Sequence, residues 1–362
     1  MLMISLKRAG LPARLAGTLT LAALGGGLFA WIGTPLAWML GGMFFTTTAS
    51  LAGAPTHMSL LLRKVMLAIL GIMLGSSFRP EIISQAVQWL PSMGVMLGFM
   101  ALITTLSYQY FRRVAGLDQA TAYFSSAPGG LTEMMTVGES MGGNVATISL
   151  VHATRILVVV GTIPVYFRYF EGLHIPTMPP GPAGFPDFMD MALLAACAVI
   201  GVPLAPKLRL PAGALLGPML LSAALHISGL TSASPPGPVV AGAQIVIGAG
   251  IGCRFAGLSL RSVWRTIMFA VGSGLMMVLA ATVTGIAAAP VIGGLPKPLI
   301  LALAPGGLAE MSLIALSIGS LTAYISFMHL SRIILVVMVF PAIFRLVTGI
   351  SLTRSPNKES GA

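Results

Sequence analysis

The sequence predicts an all-α polytopic membrane protein made of two homologous repeats, and three observations carry that prediction. Of 362 residues, 56% are hydrophobic and 8% charged, and the mean hydropathy is +0.94. A chain with so little charge has a bilayer as its main solvent. Residues 15–62, 210–253 and 266–296 contain no Asp, Glu, Lys or Arg, and these runs exceed the roughly 20 residues that cross a bilayer. Finally, residues 127–134 read APGGLTEM and residues 304–311 read APGGLAEM, one residue different and 177 positions further along.

The match extends beyond the octapeptide. At the same offset His152 pairs with His329, Arg155 with Arg332, Pro164 with Pro341, and Gly71 and Gly75 with Gly248 and Gly252. Each repeat is therefore about half the chain, far longer than a solenoid repeat. The division is 1–169 for the first repeat, 170–187 for a linker, 188–352 for the second repeat and 353–362 for a polar tail. Residues 171–186 hold five prolines, so the linker should be extended.

The elements follow in order. A first span at 11–30 is preceded by Lys7, Arg8 and Arg14, as in a signal peptide, yet it aligns with 188–206. Cleavage would remove half of a repeated element, so the expectation is a retained anchor. Spans at 35–53, 64–78 and 91–111 come next, then a broken segment at 118–142 around PGG, then a span at 144–167. The second half repeats this at 188–206, 211–229, 238–254 and 266–290, with its broken segment at 298–318 and a last span at 321–346. With 43 Gly and 25 Pro the spans should be short, kinked and close, and 23 Met can fill gaps.

Loop charge relates the halves. Basic residues gather before the first span, at Arg63 and Lys64, and at Arg112 and Arg113. In the second half they gather at complementary loops, at Lys207 and Arg209 and at Arg254, Arg261 and Arg265. That swap is expected of inverted repeats, each with five crossings plus one re-entrant segment, and it puts both termini and 15 of 20 basic residues in the cytoplasm. A parallel arrangement, counting the broken segment as a sixth crossing, would strand the second set outside. The net charge of +11 then reflects topology and anionic-lipid contact, with no basic soluble domain to bind nucleic acid directly.

Inverted repeats with a break in each are the architecture in which secondary transporters build midplane sites. Pro128 and Pro305 should halt an incoming helix, and Gly129, Gly130, Gly306 and Gly307 should allow backbone angles other residues avoid. New helices should start near Leu131 and Leu308, with Glu133 and Glu310 in their first turns. There a carboxylate is either a cap on free N–H groups or a coordinating or proton-carrying group. His152 with Arg155, and His329 with Arg332, share a helical face at i and i+3. Two readings stand: an Arg–Glu ion pair pinning the break, or guanidinium forks for a substrate carboxylate with histidines as pH-responsive gates. Thr132, Glu139 and Asn144 face Ala309, Leu316 and Leu321, so an asymmetric site would use the first half. The glycine pairs Gly71/Gly75 and Gly248/Gly252 read as helix-packing spacings. His57, His174 and His226 read as locally satisfied or solvated, and Cys197 and Cys253 as inert packing residues.

The paired PGGLxEM and HxxR blocks, at Pro128–Met134 with His152 and Arg155 and at Pro305–Met311 with His329 and Arg332, resemble the AbrB duplication-domain membrane family, which also carries an ammonia monooxygenase name. The resemblance covers nearly the whole chain. It implies a multi-pass protein of the bacterial inner (plasma) membrane, and some members are described as regulators of gene expression. The expected function is an ion- or proton-coupled secondary transporter of a small metabolite. The alternative is a membrane regulator acting indirectly, and the least favoured reading is a metal-dependent monooxygenase. No enzyme activity, cofactor or metal site is expected, because two symmetric histidines each beside an arginine make a poor copper or iron set. The expected partners are the lipid bilayer and a small-molecule or ion substrate, with the oligomeric state open.

Overall fold

Apolar runs broken by proline and glycine fold here into helices joined by tight turns. The computed structural model describes residues 10–82, 86–173, 176, 178 and 184–348. The first half forms α1 (Leu11–Trp31), α2 (Ala37–Leu51), α3 (Leu60–Gly75), α4 (Leu90–Arg113), α5 (Gln119–Ser126), α6 (Leu131–Ser140) and α7 (Val145–Tyr169). The second forms α8 (Phe188–Lys207), α9 (Gly213–Ile227), α10 (Gly237–Gly252), α11 (Leu260–Ala288), α12 (Pro296–Leu303), α13 (Leu308–Ser317) and α14 (Thr322–Thr348). No strand occurs among the described residues. Every span expected from sequence has its helix within a few residues, and each expected break falls between two short helices. Lys7, Arg8, His174, several linker residues and the 353–362 tail lie outside the described residues, as does the sidedness of the two termini.

Seven helices are long and apolar enough to cross a membrane: α1, α4 with the turn before it, α7, α8, α10 with the turn after it, α11 and α14. Helices α2, α3 and α9 have 15, 16 and 15 residues. Both α2 and α9 begin after a proline at a left-handed residue, Leu36 (φ 50°) and Ala212 (φ 49°). Side chains with a Cβ rarely adopt this conformation, and here it recurs at aligned positions.

The helices sort into two bundles. Helices α1–α3 and α8–α10 form one, through α1 on α2, α8 on α9, α3 on α9, α2 on α10 and α3 on α10. Helices α4–α7 and α11–α14 form the other, and the bundles meet where α3 crosses α13 and α14 and where α2 touches α7. The most apolar stretches of α7 and α10 are 67% buried and those of α1 and α8 are 22% buried, so the former are interior and the latter form the periphery.

The aligned glycines set the approach within the first bundle. Gly71 lies on the Leu215 carbonyl and Gly75 on the Met219 carbonyl and Ser222, while Gly248 lies on the Met39 carbonyl and Gly252 on Thr46 and Thr47. Residue order in these pairs makes α3 run parallel to α9 and α2 parallel to α10. Gly250 near Met58 and Arg63 puts the end of α10 beside the start of α3, so that pair is antiparallel. Ser222 Oγ donates to the Ile72 carbonyl at 2.8 Å across the α3–α9 contact.

Candidate functional site

Each break begins with a helix that proline ends. Asp118 caps α5, its side chain accepting from Thr121 N–H at 2.8 Å. The helix stops at Ser126, and Ala127, before Pro128, is extended (φ −62°, ψ 127°). Ala304, before Pro305, adopts φ −54° and ψ 130°. Clash with the proline ring drives the preceding residue out of the helical region.

The glycines correct the expectation drawn from sequence. Gly130 (φ −66°, ψ 138°) and Gly307 (φ −75°, ψ 156°) have angles open to any residue, and Gly129 and Gly306 are not among the glycines of positive φ. Space is what they supply. A Cβ on Gly129 would meet Val336 Cγ1 at 2.5 Å, and one on Gly306 would meet Met311 Cε at 2.6 Å. The Glu133 Oε2 lies over Gly130 and the Glu310 Oε2 over Gly307, so a side chain at either glycine would displace the carboxylate. Each glutamate thus folds back over the N-cap residue of its own helix, at the end where the dipole favours an acid.

The helix after each break clasps the one before it. His152 Nε2 donates to the Phe124 carbonyl at 2.8 Å, while Arg155 Nη1 and Nη2 donate to the carbonyls of Ala127 at 2.6 Å and Gly129 at 3.0 Å. In the second half His329 Nε2 donates to the Leu301 carbonyl at 2.9 Å, and Arg332 Nη1 and Nη2 donate to Ala304 at 2.7 Å and Gly306 at 2.8 Å. A helix C-terminus leaves orphan carbonyls at the negative end of its dipole, and a cation there answers both. This overturns the Arg–Glu pinning reading: the guanidiniums hold backbone, and neither Arg155 nor Arg332 has a carboxylate within ion-pair distance among the described residues. Both arginines are 3% exposed and both histidines 0%, so the clasps are shut off from solvent.

The two clasps differ in detail. His329 Nδ1 accepts from Arg332 Nη2 at 2.8 Å, whereas His152 Nδ1 has no partner among the described residues. Arg155 Nε, Arg332 Nε and Ser125 Oγ are also buried without a partner there. Sequence reasoning missed Arg63 and Arg254, which lie within electrostatic range of Glu310 and of each other, with Arg254 also in range of His152. Their aligned positions are Val240 and Ser77, and that asymmetry was the available signal. Asn144 is the N-cap of α7, accepting from Thr147 N–H at 2.9 Å, and Glu139 is exposed. Thr132 sits in the first turn of α6, and its side chain lies outside the described part. His226 bonds the carbonyls of Ser222 and Ala233, as expected of a locally satisfied histidine.

A sequence model of the family described as "Transition state regulatory protein AbrB" matches residues 38–348. Among similar proteins, "Uncharacterized protein YhjN" of Bacillus subtilis (strain 168) is 26% identical, with 94% of this chain and 95% of that protein aligned. "Putative regulator AbrB" of Escherichia coli (strain K12) is 26% identical, with 90% of this chain and 94% of that protein aligned.

Proposed function

The chain belongs to the AbrB family, and on that premise we propose that it is an ion- or proton-coupled secondary transporter of a small metabolite, with its site at the two PGG breaks. The observation that carries this reading is the pair of His–Arg clasps on broken helices, both in one bundle that meets the other along a narrow seam. Carriers build midplane sites from discontinuous helices and move one bundle against another. The parallel α3–α9 and α2–α10 contacts, with α3 antiparallel to α10, are what a two-fold axis lying in the membrane plane would generate, and they support the inverted arrangement. Loop charge then assigns both termini to the cytoplasmic side of a bacterial inner membrane. Glu133 and Glu310 lie over the N-cap residues of α6 and α13; in transport they are the coupling groups, because an intramembrane carboxylate can take up a proton or cation.

A second reading, a membrane regulator acting indirectly, is favoured by the name of the Escherichia coli relative. It requires a stable partner, which a pull-down in mild detergent would recover. A monooxygenase role has less support, since His152 and His329 commit Nε2 to backbone carbonyls beside a cationic arginine.

The test of the carrier reading is solid-supported-membrane electrophysiology on proteoliposomes, paired with isotope uptake to catch electroneutral exchange. Organic acids, amino acids, ammonium and metal ions form the panel. We expect a substrate-specific signal that Glu133→Gln/Glu310→Gln abolishes while the protein level is unchanged. A signal that survives in the double variant would leave the glutamates as caps alone, and silence from folded protein in both assays would remove the carrier reading.

A further inference from the structure

The two breaks are unequally covered. A Cβ on Gly129 would meet Val336, near the middle of α14, so the first break lies deep in its bundle. From there α6 runs to the base of its hairpin, where Asn144 N–H donates to Thr121 Oγ1 at 2.8 Å and Arg112 Nη1 donates to the Leu117 carbonyl at 2.6 Å. Both ends of this hairpin therefore emerge on the side of Arg112 and Arg113. The second hairpin emerges on the other side. One cavity of about 640 Å³ is lined by residues 295–298 at the start of α12 and by residues 318–321 after α13. Another of about 440 Å³ lies between that turn, Ser76, Ser77 and Arg79 after α3, and Trp89 before α4. Along α13 neither cavity reaches beyond Leu316.

Burial follows the same division. Every α13 residue but Leu316 is buried, Glu310 at 9% exposure included, and α13 packs on α3 of the opposite bundle. Helix α6 packs on α5, α7 and α14 of its own bundle, with Gly138 against Phe124 and Ile148, and meets the other bundle through Leu131, which clusters with Phe255. The remaining face of α6 is open: Thr136 and Glu139 are exposed, and Glu133 and Ser140 are half-buried. Glu133, Thr136 and Ser140 share one helical face at i, i+3 and i+7, and Asn144, also exposed, continues it past the helix end. The aligned positions read Leu313 for Thr136, Leu316 for Glu139 and Leu321 for Asn144, so only the uncovered hairpin is polar. A carboxylate turned to hydrocarbon costs about 3 kcal/mol on insertion scales, and polar groups inside a membrane face protein or a wet cavity. The protein side of α6 is filled by Met134 and Gly138, so water is what meets the polar side.

We propose that α6 lines a water-filled path from the side of Arg112 and Arg113 to Glu133, and that the aligned path along α13 to Glu310 is closed. The polar run from Glu133 to Ser140 spans about 10 Å at the rise of an α-helix. Water thus reaches the carboxylate at the first break while its counterpart at the second stays dry. Resting on the carrier reading above, this is the state of the cycle open to that side, and Glu133 is the glutamate loaded there. The reverse state would lay α6 on α10, as α13 lies on α3 here, and uncover Glu310.

Cysteine accessibility tests this on the full chain. In a Cys197→Ala/Cys253→Ala background, Thr136→Cys and Ser140→Cys report the first path, Ser312→Cys and Leu313→Cys the second, and Arg113→Cys marks the side. A membrane-impermeant methanethiosulfonate is applied to right-side-out and inverted vesicles, and thiols are counted again in SDS. We expect Thr136→Cys and Ser140→Cys to react at least about tenfold faster than Ser312→Cys and Leu313→Cys, because thiolate forms in water and is suppressed in apolar surroundings. They should react from the same side as Arg113→Cys. Ser312→Cys is nearly isosteric, and it keeps the comparison if Leu313→Cys does not fold. Three results overturn the proposal: equal rates at the two pairs, no reaction at the first pair in protein whose thiols appear in SDS, or labelling of the first pair from the side opposite Arg113→Cys. Labelling as expected beside silence in the electrophysiology and uptake assays keeps the wet path and removes the carrier reading. A substrate signal from protein whose first pair stays unlabelled does the reverse.

Discussion

Arg332→Ala is expected to lose most of the folded protein, and Arg155→Ala to follow with a smaller effect. Each guanidinium makes two short bonds to carbonyls at a helix end. A hydrogen bond to a charged group contributes about 1.5–3 kcal/mol, so one clasp is worth roughly 3–6 kcal/mol, and truncation leaves buried carbonyls unsatisfied. Arg332 should matter more because it also donates to His329 Nδ1. That bond fixes the tautomer, leaving Nε2–H for the Leu301 carbonyl, so its loss loosens a third contact. Lysine should rescue only in part: its single ammonium keeps the charge but cannot span two carbonyls as a planar fork does. Membrane-fraction yield and the unfolding midpoint in detergent check the order wild type, Lys, Ala. An Arg332→Ala protein with the wild-type midpoint would mean that the clasp is incidental to the fold.

Much of this architecture was legible in the sequence because it rests on local chemistry repeated twice. Pro128 and Pro305 announced the breaks, since a proline ends a helix whatever surrounds it, and the 177-residue offset announced matching clasps. What each side chain touches was less legible. Glutamate three residues after the glycine and arginine on the next helix suggested an ion pair, whereas each acid turned back to its own helix end and each arginine reached the preceding one. Opposite charges near one break were each answered by a helix dipole, a partner that sequence spacing does not display. The PGG glycines looked like conformational hinges, but their angles are ordinary and the missing Cβ is what counts. Arg63 and Arg254 looked like loop charges obeying the positive-inside rule. Only the antiparallel crossing of α3 and α10 brings them to Glu310, and that crossing depends on contacts across about 190 residues of chain.

Gly248→Ala and Gly71→Ala should each destabilise the protein by about 1–3 kcal/mol, the range for overpacking a filled interior. The mechanism is steric and has an internal control. A Cβ on Gly248 would collide with the Met39 carbonyl oxygen and lie 3.1 Å from Met43 N, and one on Gly71 would collide with the Leu215 carbonyl and lie 3.2 Å from Met219 N. In both cases the obstacle is backbone, which cannot swing aside as a flexible side chain can, so α10 must draw away from α2, or α3 from α9. Gly242, in the same helix as Gly248, has nothing within 4 Å of its would-be Cβ. Alanine there should be neutral or stabilise by up to about 1 kcal/mol through helix propensity. The comparison also bears on how the protein moves. If α1–α3 with α8–α10 form a static frame, the Gly248→Ala protein that does fold should take up substrate with an unchanged KM, because its breaks lie in the other bundle. A shifted KM at normal Gly242→Ala behaviour would instead mean that the α2–α10 seam opens during the cycle, and that the small residues there are kept for motion as well as for packing.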